Sequence, residues 1–229
     1  MMQKENLQST NMNKNFPILA IETTSDLCSV AVLFNDNNYI EINYLAKHIH
    51  SEKLMNMVSQ VVEESKIDIK DFSSIAVSIG PGSFTGLRIG LSAAKGIAFG
   101  ANLPICPVPT FNALAFQISN YVKHEQEFSI LFQASIDDFY YGKYKLNQSE
   151  ILEIINCNLV DKSTIFNFII NGDLVFGNGK LPELTIRKIF PSALSIAKWS
   201  NIFGKDLLTF NYENLEPEYV KQFVGRIKK

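Results

Sequence analysis

A strand that leads through a glycine-rich loop into a helix of small side chains constrains this chain more than any other feature. Residues 73–100 read SSIAVSIGPGSFTGLRIGLSAAKGIAFG. The apolar, β-branched run before Gly80 is typical of a buried parallel strand. A helix is predicted over 85–99, ended by Gly100. A buried parallel strand followed directly by a helix predicts an α/β fold.

The first part of the chain adds three strands and a second helix to this unit. The apolar and alternating runs predict strands at 18–21, 27–34 and 39–45. Ser51 can cap a helix over 51–65, whose apolar positions include Leu54, Met57, Val58 and Val61 at i, i+3, i+4 and i+7.

The second part of the chain repeats this order less clearly. Strands are predicted at 128–135, 139–146, 151–156 and 173–179, and helices at 110–121, 161–170 and 192–203. Two related α/β halves follow from the repetition, with a boundary in the proline-rich stretch 103–110. We expect a disordered extension at 1–15, an N-terminal half at 16–105 and a C-terminal half at 106–229.

Composition excludes several functional classes. The 229 residues carry a net charge of −2, which does not supply the basic field that holds a nucleic-acid backbone unaided. Cys28, Cys106 and Cys157 are far apart and odd in number. They favour free thiols in a reducing cytoplasm over a disulfide framework or a zinc site. No apolar run approaches the ~18–20 residues of a membrane span, so we expect a cytoplasmic protein.

The glycine loop matches neither common phosphate-binding pattern. A P-loop needs four residues between its glycines and a lysine after the second, but three residues separate Gly82 from Gly86, and Leu87 follows. Two interpretations stay open. The glycines can permit a tight strand-to-helix reversal, or the loop can hold an anion or nucleotide on free N–H groups. The candidate residues for the second interpretation are Gly80, Gly82, Ser83, Thr85, Gly86 and Arg88.

Two rows of small residues run along the helix after the loop. Gly86, Gly90, Ala94 and Ala98 recur every four residues, and Ser92, Gly96 and Gly100 form a second row. Glycine inside a helix costs about 1 kcal/mol relative to alanine, so something should offset it. Small rows let another backbone come close. That backbone belongs either to this chain or to another protein.

These segments together resemble a known family. The string GPGSFTGLRIGLSAAKGIA, with ILAIETTSDLCSVAVL before it and the helix HSEKLMNMV, is similar to the TsaB/YeaZ family over about Ile18 to Ala115. Weaker similarity continues through FYYGKY, GNG and EPEYVK. The resemblance implies two ribonuclease-H-like halves, as in the hexokinase–actin superfamily.

The resemblance also implies a function without catalysis by this chain. Family members are partner subunits of the bacterial tRNA threonylcarbamoyladenosine machinery, and the helices over 51–65 and 86–99 form their pairing surface. Carried over residue by residue, this surface would use Leu54, Met57, Val58, Val61, Gly86, Gly90, Ala94 and Ala98. The implied partners are a TsaD-like catalytic subunit, a TsaE-like ATPase and, in isolation, a second copy. tRNA would be reached only through the complex. No cofactor of its own is expected, although ATP or ADP shared at the partner interface stays open.

Two enzymatic alternatives also stay open. Glu22 and the loop over 80–86 could serve a stand-alone phosphotransferase of the actin–kinase superfamily, and a metallopeptidase-like protein is the third hypothesis. His48 and Glu52 stand four apart, but no third ligand accompanies them, so we expect no metal. Gln133-Ala134-Ser135 stands where the family often has Asp-Ala-Arg, which puts any charge-based role there in doubt.

Overall fold

Two five-stranded sheets with the same strand order form the core of the chain in the computed structural model, which describes residues 15–148, 150–170 and 172–220. The first sheet has the order β3-β2-β1-β4-β5, and the second has the order β8-β7-β6-β9-β10. In each sheet a three-stranded antiparallel meander comes first and two parallel strands follow. The predicted pair of ribonuclease-H-like α/β halves is confirmed.

The first sheet carries helices on both faces. Alternate residues of its central strand point to opposite sides. Leu19 and Ile21 meet the helices α1 and α2, and Ile18 and Ala20 meet α4. Because both faces are covered, the central strands are mostly apolar. The elements are β1 (Ile18–Glu22), β2 (Leu27–Leu33), β3 (Tyr39–Leu45), α1 (His50–Ser65), β4 (Ser74–Gly80), α2 (Phe84–Ala101) and β5 (Ile105–Pro109).

Each sheet packs against a helix that adjoins the other sheet in the sequence. The helix after the first sheet packs on the second, and the helix after the second sheet packs on the first. Side chains of α3, among them Phe111 and Leu114, pack on strands of the second sheet, whereas Ile196 of α4 packs on the first. The two halves are therefore interlocked. Their elements are α3 (Thr110–Ser119), β6 (Glu127–Gln133), β7 (Asp138–Asn147), β8 (Glu150–Asp161), β9 (Val175–Gly177), β10 (Ile186–Lys188) and α4 (Ala193–Phe203).

The start of α4 is held by two side chains of the first sheet. The Ser29 hydroxyl accepts the N–H of Ala193 at 2.9 Å, and the Glu41 carboxylate accepts the N–H of Leu194 at 2.8 Å. Ser192 supplies a third acceptor, for the N–H of Ser195. The unpaired amides of the first helical turn are thereby satisfied across the two halves.

The segment after α4 returns along the first half. Thr209 and Ile105 exchange two backbone hydrogen bonds of 2.9 Å, which cover the outer edge of β5. The Tyr212 hydroxyl then donates to the carbonyl of Leu103 at 2.6 Å, and the N–H of Glu218 donates to Ile79 at 2.7 Å. Residues 209–218 therefore fasten the edge of the first sheet.

Two sequence predictions need correction. The helix predicted over 161–170 is wrong, because the Asp161 side chain accepts the N–H groups of Ser163 and Thr164 and forms a turn. Only a short 3-10 turn, Ile165–Asn167, follows. The stretch 103–110, expected to be a connection, contains β5. Prolines fit there because β5 is an edge strand.

The division into domains stays a prediction. The boundary expected between residues 105 and 106 falls at the start of β5, which belongs to the first sheet. Of the extension expected at 1–15, residues 1–14 lie outside the described part of the chain. Among the described helices, none combines the length and apolarity needed to cross a bilayer.

The capping of α4 gives a stability prediction. Ser29 is fully buried, so Ser29→Ala should leave the Ala193 N–H without an acceptor. Such a loss costs about 1–3 kcal/mol. Urea unfolding monitored through the single tryptophan, Trp199, should show this decrease in unfolding free energy. Ser195→Ala, on the same helix, is the matched control and should change stability by less than half as much. Equal stability of Ser29→Ala and the parent chain would contradict this account of the cap.

Candidate functional site

A cleft of about 630 Å³ lies between the two halves. The beginnings of α1 and α2 meet there with the β1–β2 turn of the first half and the β6–β7 turn of the second. The cleft is lined by residues 24–26, 82–86 and 133–135, and by His48, His50, Ser51, Ile89, Phe132, Tyr140 and Asn178. Among the described residues, no lysine or arginine lines it.

A buried carboxyl group lies beneath one wall of this cleft. Glu22, at the end of β1, is fully buried. One of its oxygens accepts both the N–H and the hydroxyl of Thr24 at 2.5 Å, and the other accepts the hydroxyl of Ser78. Burial raises the pKa of Glu22 from 4.5 to about 7, against the lowering effect of these hydrogen bonds. A carboxyl group that is sealed in this way is poorly placed to hold a metal ion at the cleft.

The histidines at the start of α1 do not form a metal site with Glu52. The helix begins at His50, so the N-cap is Ile49, two residues before the predicted cap Ser51, and Ile49 supplies no side-chain cap. His48 lies before the helix with a φ of 59°, and Glu52 forms an ion pair of 2.8 Å with Lys53. Within the described ranges, no group of three or more metal-binding side chains occurs.

His50 is the one side chain at the cleft that carries an unpaired buried polar atom in the described chain. It is 7% exposed, and its Nε2 has no hydrogen-bond partner there. Burial lowers the pKa of His50, against smaller raising effects from backbone groups of Leu27 and Ser25. The imidazole is therefore neutral at physiological pH. It adds no positive charge to the cleft.

The glycine loop is packed against its own chain. A Cβ atom on Gly86 would overlap the Thr23 carbonyl, and one on Gly82 would overlap Thr24. The N–H of Ser83 donates to the Thr24 carbonyl at 2.7 Å, and the N–H of Gly86 to the Ser83 hydroxyl at 3.2 Å. These contacts explain the glycines through the tight-reversal interpretation.

The start of the loop is also engaged within the chain. The N–H of Gly80 donates to the Thr110 hydroxyl at 3.2 Å, and its Cα faces the carbonyl of Glu218. Thr85 stands exposed at the cleft. Anion or nucleotide binding by this loop stays a prediction.

The first small row of α2 faces the interior, so the residues predicted for the partner surface are wrong. A Cβ on Gly90 would overlap the Thr23 hydroxyl, which itself donates to the carbonyl of Gly86 at 2.7 Å. Ala94 and Ala98 are fully buried in the core beneath α1 and α2. That core also contains the predicted α1 residues Leu54, Met57, Val58 and Val61.

The second small row of α2 faces outward. Ser92 is exposed, and a Cβ on Gly96 or Gly100 would meet no atom within 4 Å. Phe99, beside this row, is 78% exposed, and Met55 on the outer side of α1 is 52% exposed. Sequence reasoning missed Phe99 and Met55. The sequence does place each of them on the helix side opposite the apolar stripe, and this position could have identified them as exposed.

At the start of α2, Arg88 contacts two aromatic side chains. Its guanidinium lies 3.8 Å from the centre of the Phe84 ring, and its Nε donates to the Tyr219 hydroxyl at 3.1 Å. The cation–π contact and the hydrogen bond give this cation a partner at the helix start, where the dipole disfavours it.

The β6–β7 turn is closed by its own hydrogen bonds. The N–H groups of Ala134 and Ser135 both donate to the carbonyl of Asp138, at 2.9 and 3.0 Å. The Gln133 side chain accepts the N–H of Lys180 at 3.1 Å and donates to the carbonyl of Ser135. In this chain Gln133 therefore ties the turn to the neighbouring loop, and the turn keeps few amides for a phosphate.

The buried carboxyl predicts a pH dependence of stability. Between about pH 4.5 and 7 the unfolded chain releases the Glu22 proton while the folded chain retains it, so unfolding becomes easier as pH rises. The free energy of unfolding should fall by about 3 kcal/mol from this group and level off above pH 7. Glu22→Gln keeps the acceptor for Thr24 and cannot ionise. Its difference in stability from the parent chain should grow in its favour from pH 5 to pH 8 in urea unfolding. A difference that is constant with pH would contradict the buried-proton description.

The two small rows predict opposite effects of one substitution. Gly86→Ala and Gly90→Ala force a methyl group into Thr23, and such overpacking costs about 1–3 kcal/mol. Gly96→Ala meets open space and should stabilise the chain by up to about 1 kcal/mol through helix propensity. Thermal and urea unfolding of the three variants compare them directly. Destabilisation by Gly96→Ala, or its absence in the other two, would show that the rows are assigned to the wrong sides.

Comparison with known proteins places these features in a family. The family described as "TsaD: tRNA N6-adenosine threonylcarbamoyltransferase" matches residues 43–175, more than half of the chain. A protein of Escherichia coli named tRNA threonylcarbamoyladenosine biosynthesis protein TsaB is 40% identical over 98 residues, which are 43% of this chain and 42% of that protein. The Haemophilus influenzae protein of the same name is 36% identical over 102 residues, 44% of this chain and 43% of that protein.

The chain spans about half the length of the curated relatives it matches. Among solved structures, YeaZ from Pseudomonas aeruginosa superposes with a TM-score of 0.71 at 24% identity and covers 89% of this chain and 99% of that one. This likeness shows the shared fold. Because the family match covers residues 43–175, the chain belongs to the TsaD family, and its similar relatives include proteins named TsaB.

Proposed function

We propose that this chain is a non-catalytic subunit of the machinery that makes threonylcarbamoyladenosine in tRNA. It binds a TsaD-like transferase and stabilises the conformation that transfers the threonylcarbamoyl group. A TsaE-like ATPase completes the complex, and tRNA is reached only through it. The names of the matched relatives support this role, and so does the family match to TsaD.

The observation that carries the proposal is the outward row of α2. Gly96 lowers helix stability, yet a Cβ added there would meet no atom of another part of the described chain within 4 Å. Close contacts within the chain require glycine at positions 86 and 90, whereas no contact in the described chain requires it at position 96. A helix of another chain lying over Ser92 and Gly96, flanked by Phe99 and Met55, would supply such a contact.

The side chains around the cleft support a role without catalysis by this chain. Both oxygens of Glu22 accept hydrogen bonds from the chain itself, and the β6–β7 turn uses its own amides. The phosphotransferase hypothesis needs Glu22 to hold a metal ion and the β6–β7 turn to bind phosphate. Both already have hydrogen-bond partners within the chain. No observation favours that hypothesis or the metallopeptidase-like one.

The energetic role would be differential binding. A subunit activates its partner only if it binds the active conformation more tightly than the inactive one. A second copy of this chain would use the same outward row when the transferase is absent. ATP or ADP held between the two subunits stays a prediction.

A substitution on the outward row tests the proposal. Gly96→Leu should leave the isolated chain folded, with unchanged or higher thermal stability, because leucine favours helix and meets open space. It should weaken binding to the TsaD-like transferase of the same organism at least tenfold in isothermal titration calorimetry. Modification of tRNA in the reconstituted system should fall in parallel.

Lys162→Leu is the matched control, since it also places leucine at an exposed position but on the second half. It should leave binding and modification unchanged. Unaltered binding by Gly96→Leu would remove the outward row from the proposal. The absence of any complex between the parent chain and the transferase would overturn the proposed function itself.

A further inference from the structure

A second surface, remote from the outward row, combines an open strand edge with an apolar groove. β8 is the outermost strand of the second sheet and, within the described part of the chain, pairs only with β7. A groove of about 380 Å³ runs between the first residues of β8 and the helices α3 and α4. Its walls include Ile151 and Leu152 on the strand side and Trp199 and Phe203 on the helix side.

The lining shows that the groove runs from the sheet face beneath α3, where Tyr144 of β7 borders it, to the edge of β8. Residues 150, 151, 152 and 153 all line it. Successive side chains of a strand point to opposite faces. Four consecutive residues of β8 around one cavity therefore indicate that the cavity reaches the strand's open side.

The backbone of this edge is available for pairing. Between Glu150 and Ile155, no backbone group of β8 bonds to a described residue on the side away from β7. Farther along, the Asn158 side chain donates to the carbonyl of Asn156 at 2.7 Å and blocks the edge there. An open edge of unpaired N–H and C=O groups is a template for an extended chain.

The charge and shape of the groove limit which kind of segment can bind there. Glu150 and Glu153 border the groove, and no lysine or arginine lies in β8 or among the groove residues. Exposed Leu152 and Ile154, at 42% and 46%, extend the apolar surface. Antiparallel pairing of β8 with a second copy would bring these carboxylates together, which is unfavourable. A basic segment with apolar side chains at alternate positions complements both features.

We propose that the groove between β8 and α4 binds an extended basic and apolar segment of a partner protein, which adds to the second sheet as a strand beside β8. Backbone hydrogen bonds to residues 150–155 supply affinity. Apolar side chains enter beside Trp199 and Phe203, and basic side chains meet Glu150 and Glu153. This surface is independent of the outward row on α2.

Trp199 makes the proposal directly testable, because it is the single tryptophan of the chain and lines the groove. A nine-residue peptide of alternating lysine and valine, blocked at both ends, should change its fluorescence saturably at micromolar concentrations. The same peptide with N-methylated valine amides should bind at least tenfold more weakly, since it cannot pair as a strand. A glutamate–valine peptide should also bind at least tenfold more weakly.

Protein variants separate the groove from general charge attraction. Glu150→Lys should weaken binding of the lysine–valine peptide at least fivefold, whereas Glu64→Lys, the same charge change on exposed α1, should not. Thermal unfolding checks that both variants are folded. Equal binding of the N-methylated peptide, or no saturable signal, overturns the proposal. So does a dimer of the parent chain in sedimentation that Glu150→Lys changes, because the occupant would then be a second copy.

Discussion

The close approach of the end of β1 to the start of α2 is the contact on which the rest of the structure depends. Thr23 donates to the carbonyl of Gly86 and fills the space beside Gly90, and the Thr24 carbonyl accepts the N–H of Ser83. This contact sets how deeply α2 lies on the first sheet. It also places Thr24 and Ser83 at the rim of the cleft. The outer side of α2 is fixed by the same packing, so the contact determines which residues a partner can reach.

The sequence alone predicted the repeated α/β architecture, the strand–loop–helix unit and both helices of the first half. It could not decide which small row of α2 faces inward. Both rows have the same spacing, and the deciding neighbour, Thr23, lies more than sixty residues earlier in the chain. Helix periodicity shows that one side of a helix carries small residues, whereas only the tertiary contact shows what covers that side.

Two other failures have different causes. The prolines of β5 concealed a strand because the edge position that tolerates them is a property of the assembled sheet. The helix predicted after β8 failed because Asp161 uses its carboxylate to close a turn on Ser163 and Thr164 instead of capping a helix. The apolar spacing was compatible with either structure. At the cleft, the sequence shows only that residue 22 is a glutamate, and it does not reveal that the carboxyl group is buried and hydrogen-bonded within the chain.

The exchange of helices between the halves has a consequence for biosynthesis. One face of the first sheet is completed by α4, which is translated after the entire second sheet. Ribosomes therefore release β1 to β5 with an apolar face that stays uncovered until residues 193–203 have emerged. Such a nascent intermediate exposes the kind of surface that aggregates or recruits chaperones. The N-terminal half can complete its native packing only after α4 has been synthesised.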